Sequence, residues 1–264
     1  MTTHQAGFLF TVAVLGGALN SVAGGGGFLC FPALLFTGMP AINANATNTA
    51  ALWPGTAAST AAYRAELVGY RRLMRPLIIT GIIGGILGAL LLLHTPQTTF
   101  LRMVPWLLLS ATCLLAFSGQ ISRWLGTQTH DLSLGPGAEA AGPSRQRLTA
   151  AAAIQLGIAI YIGFFGAGAG ILMMAVFAVL GVRNIHALNG LKTMLATICN
   201  GMALATFILA RTIIWPQAAL MIAGATIGGY GGAWYAQKLP PRYIRWFAIA
   251  VGAGMTVYFF LRKP

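Results

Sequence analysis

The chain has 264 residues, of which 57% are apolar and only 7% charged. A soluble domain carries about 25% charged residues to cover its surface, so water is excluded as the main solvent. The net charge of +13 would suit a nucleic-acid partner in a soluble protein, but here Lys and Arg cluster in the short connections between apolar runs. There they fix orientation against lipid headgroups, and nothing points to nucleic acid.

Apolar runs close to the roughly 20 residues needed to cross a bilayer recur along the chain. They cover 7–23, 45–62, 74–93 and 100–121, then 148–165, 187–210, 213–236 and 243–261. The first ends in Ser21-Val22-Ala23, which resembles a signal-peptidase site. Residues 1–6 lack the positive charge of a secretory leader, so the segment is expected to be retained. Two shorter apolar stretches, 28–37 and 171–180, are too short to span and fit half-helices or re-entrant segments. Each follows a glycine-rich interruption, Gly24-Gly25-Gly26-Gly27 in one case and Gly166-Ala167-Gly168-Ala169-Gly170 in the other. Residues 126–147 form the one long polar, Gly/Pro-rich stretch and read as a solvated linker.

These segments repeat. At an offset of 143, Gly25, Gly27 and Leu29 meet Gly168, Gly170 and Leu172, and Gly38, Ile42 and Ala44 meet Gly181, Ile185 and Ala187. Gly81, Gly85, Gly88 and Arg102 then meet Gly224, Gly228, Gly231 and Arg245 without a gap. An ungapped register across several helices implies a duplication. The expected architecture is an all-α integral membrane protein of about eight transmembrane helices in two four-helix halves, each with a broken or re-entrant segment. Its parts are a first repeat 1–125, a linker 126–147 and a second repeat 148–264. An even number of crossings keeps the halves parallel, and an odd number would invert one. Ten of the Lys and Arg residues fall on one side of such a bundle and six on the other, which favours cytoplasmic termini.

The chemistry is legible mostly by exclusion. Glu66, Asp131 and Glu139 are the only acids, all in loops or at a helix end. No carboxylate is expected at the bilayer midplane, which disfavours a carboxylate proton relay. Cys30, Cys113 and Cys199 lie far apart in apolar runs, and the four histidines lack ligand spacing, so neither disulfide nor metal site is expected. No paired carboxylates or nucleophile–base motif suggests an enzyme, and no cofactor is implied.

The glycine interruptions leave backbone groups that a bilayer tolerates only where protein or a water-filled cavity satisfies them. A half-helix starting at Phe28 or Ile171 would aim its free N–H groups and positive dipole end there, a site suited to anions. Close helix packing through glycine is the competing explanation. After the first break comes Pro40-Ala41-Ile42-Asn43-Ala44-Asn45-Ala46-Thr47-Asn48-Thr49; its counterpart runs from Arg183 to Lys192. Thr47, Asn48 and Asn189 are donors for oxyanion oxygens, or else helix caps. Lys192 brings a positive charge into an apolar run with no acid near it in sequence; it either snorkels or serves an anion pathway. Gly81, Gly84, Gly85 and Gly88, like Gly224, Gly228 and Gly232, read as small-residue packing faces.

The pattern Gly25-Gly26-Gly27, Pro32, Leu34-Leu35, Gly38, Pro40, Ala44 and Ala46-Thr47-Asn48 resembles the first-repeat signature of the sulfite exporter TauE/SafE family of membrane transporters. The family's duplicated four-helix layout covers nearly the whole chain. The resemblance implies secondary transport of sulfite, sulfonates or similar anions, in most members across a bacterial cytoplasmic membrane. The second copy departs from the pattern, with Ala167 and Ala169 inside the glycine run and Leu191 opposite Asn48.

Taken together, the expected function is a secondary transporter, in the exporting direction, of a small sulfur-containing anion such as sulfite or an organosulfonate. Backbone N–H groups after Gly24, Gly25, Gly26 and Gly27, and after Gly166, Gly168 and Gly170, would form the substrate site. Asn20, Ser21, Asn45, Thr47, Asn48 and Asn189 would orient the anion, and Lys192 would supply charge. Rocking of one half against the other would give alternating access. An anion-selective channel, or a carrier for a different small organic anion, is the alternative; a structural subunit is a third. The partners expected are the anionic substrate and the bilayer, and self-association into a homo-oligomer stays open.

Overall fold

The computed structural model describes residues 1–23, 25–124, 145–180, 182, 184–236 and 241–261. They form α-helices with one 3₁₀ helix, and no strand occurs among the described residues. The first part contains α1 (Thr3–Ala23), α2 (Gly27–Phe36), α3 (Ala41–Ala62), a 3₁₀ helix (Arg64–Tyr70), α4 (Arg71–His94) and α5 (Gln97–Trp124). The second contains α6 (Arg145–Phe164), α7 (Ala169–Val179), α8 (Ile185–Leu209), α9 (Trp215–Ala236) and α10 (Pro241–Leu261). Most of the linker 126–147 lies outside the described residues, as does Gly24.

Four helices among the described residues are long and apolar enough to cross a bilayer, over Leu73–His94, Gln97–Phe117, Gln146–Phe164 and His186–Leu209. Gly27–Phe36 and Ile249–Leu261 are shorter apolar helices. Large apolar side chains stand exposed around the outside, including Ile79, Ile83, Leu87 and Leu91 on α4, Trp106 and Phe117 on α5, and Phe247, Val257 and Phe260 on α10. That much contiguous apolar surface is stable only against lipid. The chain is a multi-pass membrane protein.

Boundaries move where the sequence signal was weakest. The helix expected at 45–62 begins at Ala41, with Pro40 in extended backbone at its N-cap, so Asn43, Asn45, Thr47 and Asn48 lie within the helix. Gly27 and Gly170 also fall inside helices, not in the interruptions that precede them. The turn at Arg64–Tyr70, carrying Glu66, had no periodicity to announce it.

Glycine sets the packing. α1 lies along α9 and α4 along α6. A methyl placed on Gly228 would collide with the backbone of Val14, one on Gly17 with that of Ala225, and one on Gly88 with the carbonyl of Ile160. Gly85 meets the backbone of Cys199 of α8 in the same manner, and Gly81 faces the Cys199 side chain. The small-residue faces are therefore backbone-to-backbone seams, which lipid, offering no hydrophobic drive between helices, makes necessary. Two apolar cores result. One gathers α2, α3 and α5 around Phe31, Phe100 and Phe165. The other gathers α4, α6, α7 and α8 around Leu77, Met173, Phe177 and Leu191.

Candidate functional site

The N-terminal half of α3 is enclosed on all sides: Ala41, Ile42, Ala44, Asn45, Ala46, Thr47, Asn48, Ala50 and Ala51 are buried. Its low apolar content is thus a consequence of facing protein instead of lipid. Polar side chains on it act as ties. Asn43 Nδ2 donates to the Thr212 carbonyl (2.7 Å), and Thr47 Oγ1 accepts from the Ile214 N–H (3.2 Å), pinning α3 to the start of α9. Asn45 Nδ2 donates to the carbonyl of Phe164, the last residue of α6 (3.1 Å). Farther along, Trp53 Nε1 donates to the Thr197 carbonyl and Thr60 shares a hydroxyl contact with Thr197, joining α3 to α8.

Two amide oxygens on this helix have no partner among the described residues: Asn45 Oδ1 and Asn48 Oδ1. Asn45 is 2% exposed and Asn48 8%. Spaced three residues apart, they share one helix face. An unpaired buried acceptor costs about 1–3 kcal/mol.

The first break is partly packing and partly open. The Gly25 carbonyl accepts from Phe28 N–H, and that of Gly26 from the N–H groups of Leu29 and Cys30, so these donors close the first turn of α2. A methyl on Gly26 would stand 2.5 Å from the Gly16 carbonyl oxygen and 2.9 Å from Asn20 Cβ, so α1 presses on the break there. Gly25 touches Leu19 and Phe28. On Gly27 a methyl would meet only Asn48 Nδ2, at 3.4 Å, within a 4 Å sphere. Among the three described glycines of this break, Gly27 alone faces a polar side chain across uncrowded space. Gly24 and the Ser21 side chain lie outside the described residues.

The second break follows the same plan. Gly166 and Gly168 hold φ of +80° and +76°, the left-handed region that glycine enters without strain. Tyr161 Oη donates to the Ala167 carbonyl (2.7 Å), bracing the turn, and Ile171 N–H returns to the Gly168 carbonyl. Gly168 backs onto Ala111 of α5. Phe165 stacks edge-on against Phe31 of α2, with ring centroids 5.5 Å apart, so the two breaks are linked by an aromatic contact. In α7, Gly170 lies under the stem of Lys192, whose Cδ would be 3.2 Å from an added methyl. Lys192 Nζ donates to Asn189 Oδ1 (3.1 Å), and no ion pair to an acid accompanies it among the described residues. Glycine leaves the stem room to lie there without being pushed aside.

Of the side chains expected at the site, Gly27 and Asn48 come together, as do Gly170, Asn189 and Lys192. Asn45 joins α3 to the second break through Phe164, and Thr47 is taken up by the α9 tie. Sequence reasoning missed Asn200, whose Oδ1 lies 3.8 Å from a methyl built on Gly166 and whose Nδ2 donates to the Ala196 carbonyl. It also missed Trp53 and Tyr161. Asn189, Thr193, Thr197 and Asn200 recur at helical spacing along α8, and that polar stripe was the available signal.

The family described as sulfite exporter TauE/SafE matches residues 9–259. A probable membrane transporter protein of Haemophilus influenzae is 30% identical over 227 residues, covering 85% of this chain and 82% of that one. The probable membrane transporter protein YfcA of Escherichia coli is 28% identical over 253 residues, 95% of this chain and 87% of its own length. A probable membrane transporter of Sinorhizobium is 24% identical over 254 residues, with 96% and 92% covered. No solved structure matches the chain.

Proposed function

The chain belongs to the sulfite exporter TauE/SafE family of membrane transporters, and from that premise we propose that it is a secondary transporter. Its substrate is a small sulfur-containing anion, such as sulfite or an organosulfonate, exported across a bacterial cytoplasmic membrane with both termini on the cytoplasmic side. The observation that carries this reading is Lys192, a cation inside an apolar helix, laid across Gly170 and held by Asn189 with no acid beside it among the described residues. An intramembrane charge is retained where it serves a substrate or ion, and here its sign calls for an anion. Gly27 and Asn48 supply a second polar face near the start of α2, and the left-handed turn at Gly166 and Gly168 shapes the cavity.

The proposed architecture has eight crossings, α1, α3, α4 and α5 in one half and α6, α8, α9 and α10 in the other, with α2 and α7 as half-helices. Its support is reciprocal packing: α1 of the first half lies on α9 of the second, and α6 of the second lies on α4 of the first. Such interlocked seams resist rocking of one intact half against the other. The short helices α2 and α7, hinged at their glycine turns, are therefore the proposed moving parts.

The test is a thermal-shift screen of the purified protein against sulfite, sulfate, thiosulfate, sulfonates, carboxylates and phosphate, joined to flux in proteoliposomes. A bound anion at about one hundred times its Kd stabilises the fold by about 2.7 kcal/mol. Lys192→Met removes one charged hydrogen-bonding group, about 1.5–3 kcal/mol, and is expected to cut anion affinity roughly tenfold to a hundredfold. Sulfite or sulfonate flux unchanged by that substitution ends the assignment.

A further inference from the structure

We propose that the amide oxygens of Asn45, which is tied to the C-terminal end of α6, and of Asn48 on the same face of α3 form a Na+ site that couples cation movement to anion transport. The proposal rests on the transporter reading above and adds the identity of its driving ion.

Asn45 spends Nδ2 on the Phe164 carbonyl, which fixes the amide orientation and makes Oδ1 the unpaired atom. Asn48 turns Nδ2 toward Gly27, and its Oδ1 is likewise unpaired. Both side chains are more than nine-tenths buried. A carbonyl-type oxygen accepts and does not donate, so a fully deprotonated oxyanion cannot satisfy either atom; a cation satisfies both at once.

The local field has the same sign. α6 ends at Phe164, whose carbonyl is already the partner of Asn45. The last carbonyls of a helix lack intrahelical partners and carry the negative end of the dipole. In transporters with broken helices, half-helix C-terminal ends and unwound carbonyls are suited to alkali cations. The charge count disfavours divalent ions: Glu66 is the one acid among the described residues and belongs to the 3₁₀ helix after α3. Neutral oxygens and a dipole end balance a single positive charge, whereas a divalent ion needs carboxylates. No group of His, Cys, Asp or Glu suited to a transition metal occurs among the described residues. Asn48 thus belongs to both sites, offering Nδ2 on the Gly27 side and Oδ1 to the cation, and this is the physical link between the two ions.

The experiment uses the full chain purified in detergent. Saturable 22Na+ binding is measured by scintillation proximity, with melting temperature compared in NaCl, KCl and choline chloride at equal ionic strength. Wild type is expected to bind 22Na+ and to melt higher in NaCl than in the other two. Asn48→Ala and Asn45→Ala are each expected to weaken 22Na+ binding about tenfold or more. Asn45→Ala also frees the Phe164 carbonyl, so Asn48→Ala decides the matter if the first variant misfolds. A melting shift with sulfite in choline medium reports the anion site separately. If sulfite shifts the melt and 22Na+ does not bind, the Na+ proposal fails and the transporter reading survives; if neither binds, both fail. Wild-type 22Na+ affinity in folded Asn48→Ala, or flux driven by a pH gradient and indifferent to Na+, likewise overturns it.

Discussion

Substituting alanine at Gly26 and at Gly27 separates the structural glycine from the functional one. Gly26 has right-handed helical backbone angles, φ −56° and ψ −33°, so alanine suffers no conformational strain there. Its methyl, however, would approach the Gly16 carbonyl oxygen to 2.5 Å and Asn20 Cβ to 2.9 Å, and backbone cannot rotate away. Overpacking of this kind costs about 1–3 kcal/mol, and Gly26 is the N-cap of α2, where alanine brings no propensity gain over glycine. The net expectation for Gly26→Ala is a loss of about 1–3 kcal/mol, or roughly 2–12 °C in melting temperature for a chain of this size. At Gly27 the methyl meets one flexible amide nitrogen at 3.4 Å. The propensity gain for Gly→Ala inside a helix, at most about 1 kcal/mol, then stands almost unopposed, and Gly27→Ala should melt within a few degrees of wild type or slightly above it. Flux should reverse the order, with Gly27→Ala the more damaged because its methyl occupies the space beside Asn48. Melting by intrinsic fluorescence and sulfite counterflow in proteoliposomes measure the two effects. Wild-type flux and anion affinity in Gly27→Ala would refute the placement of the substrate there, and a wild-type melt in Gly26→Ala would refute the close crossing of α1.

Three further expectations concern the frame around the site. Gln155 is fully buried on α6 with both amide atoms unpaired, so Gln155→Leu should raise stability by about 1 kcal/mol or more without changing flux, a thermal melt being sufficient to check it. Thr47→Val deprives the Ile214 N–H of its acceptor and should cost about 1–3 kcal/mol, read as a lower melting temperature that Thr47→Ser largely restores. Gly88→Ala would drive a methyl into the Ile160 carbonyl and the Gly163 backbone; a loss of about 1–3 kcal/mol or more is expected, and expression with a wild-type melt would contradict the seam.

The all-helical membrane character was open to reading from composition, and the placement of the two short helices α2 and α7 from the glycine interruptions and the short runs behind them. The family followed from Gly25, Pro32, Gly38 and Ala46-Thr47-Asn48. What composition hid was the division of labour within one glycine run. Gly26 and Gly27 are identical in sequence, and only the approach of α1 to one and of Asn48 to the other distinguishes them. Thr47 and Asn48 were equivalent as polar helix residues, yet one is consumed by the Ile214 N–H while the other keeps an unpaired oxygen. Asn200 was overlooked because the polar stripe it shares with Asn189, Thr193 and Thr197 does not by itself show that this face of α8 meets the second break. Hydrogen-bond direction is a property of three-dimensional partners, and that is why Asn45 read as a donor to an anion when its donor is spent on Phe164.

The glycine seams also set a timetable for biogenesis. α1 closes on α9, about 190 residues later in the chain, and at roughly 5–20 residues per second α1 leaves the ribosome some ten to forty seconds before its partner exists. α4 waits for α6 over a shorter interval. During that time Gly17 and the neighbouring small residues of α1 lack the α9 backbone that will later cover them. The first half therefore cannot reach its final packing alone, and a chain truncated after α5 should insert but stay open to proteolysis. Membrane quality-control proteases thus have a defined window, and they would act hardest on variants that weaken the last seam to form.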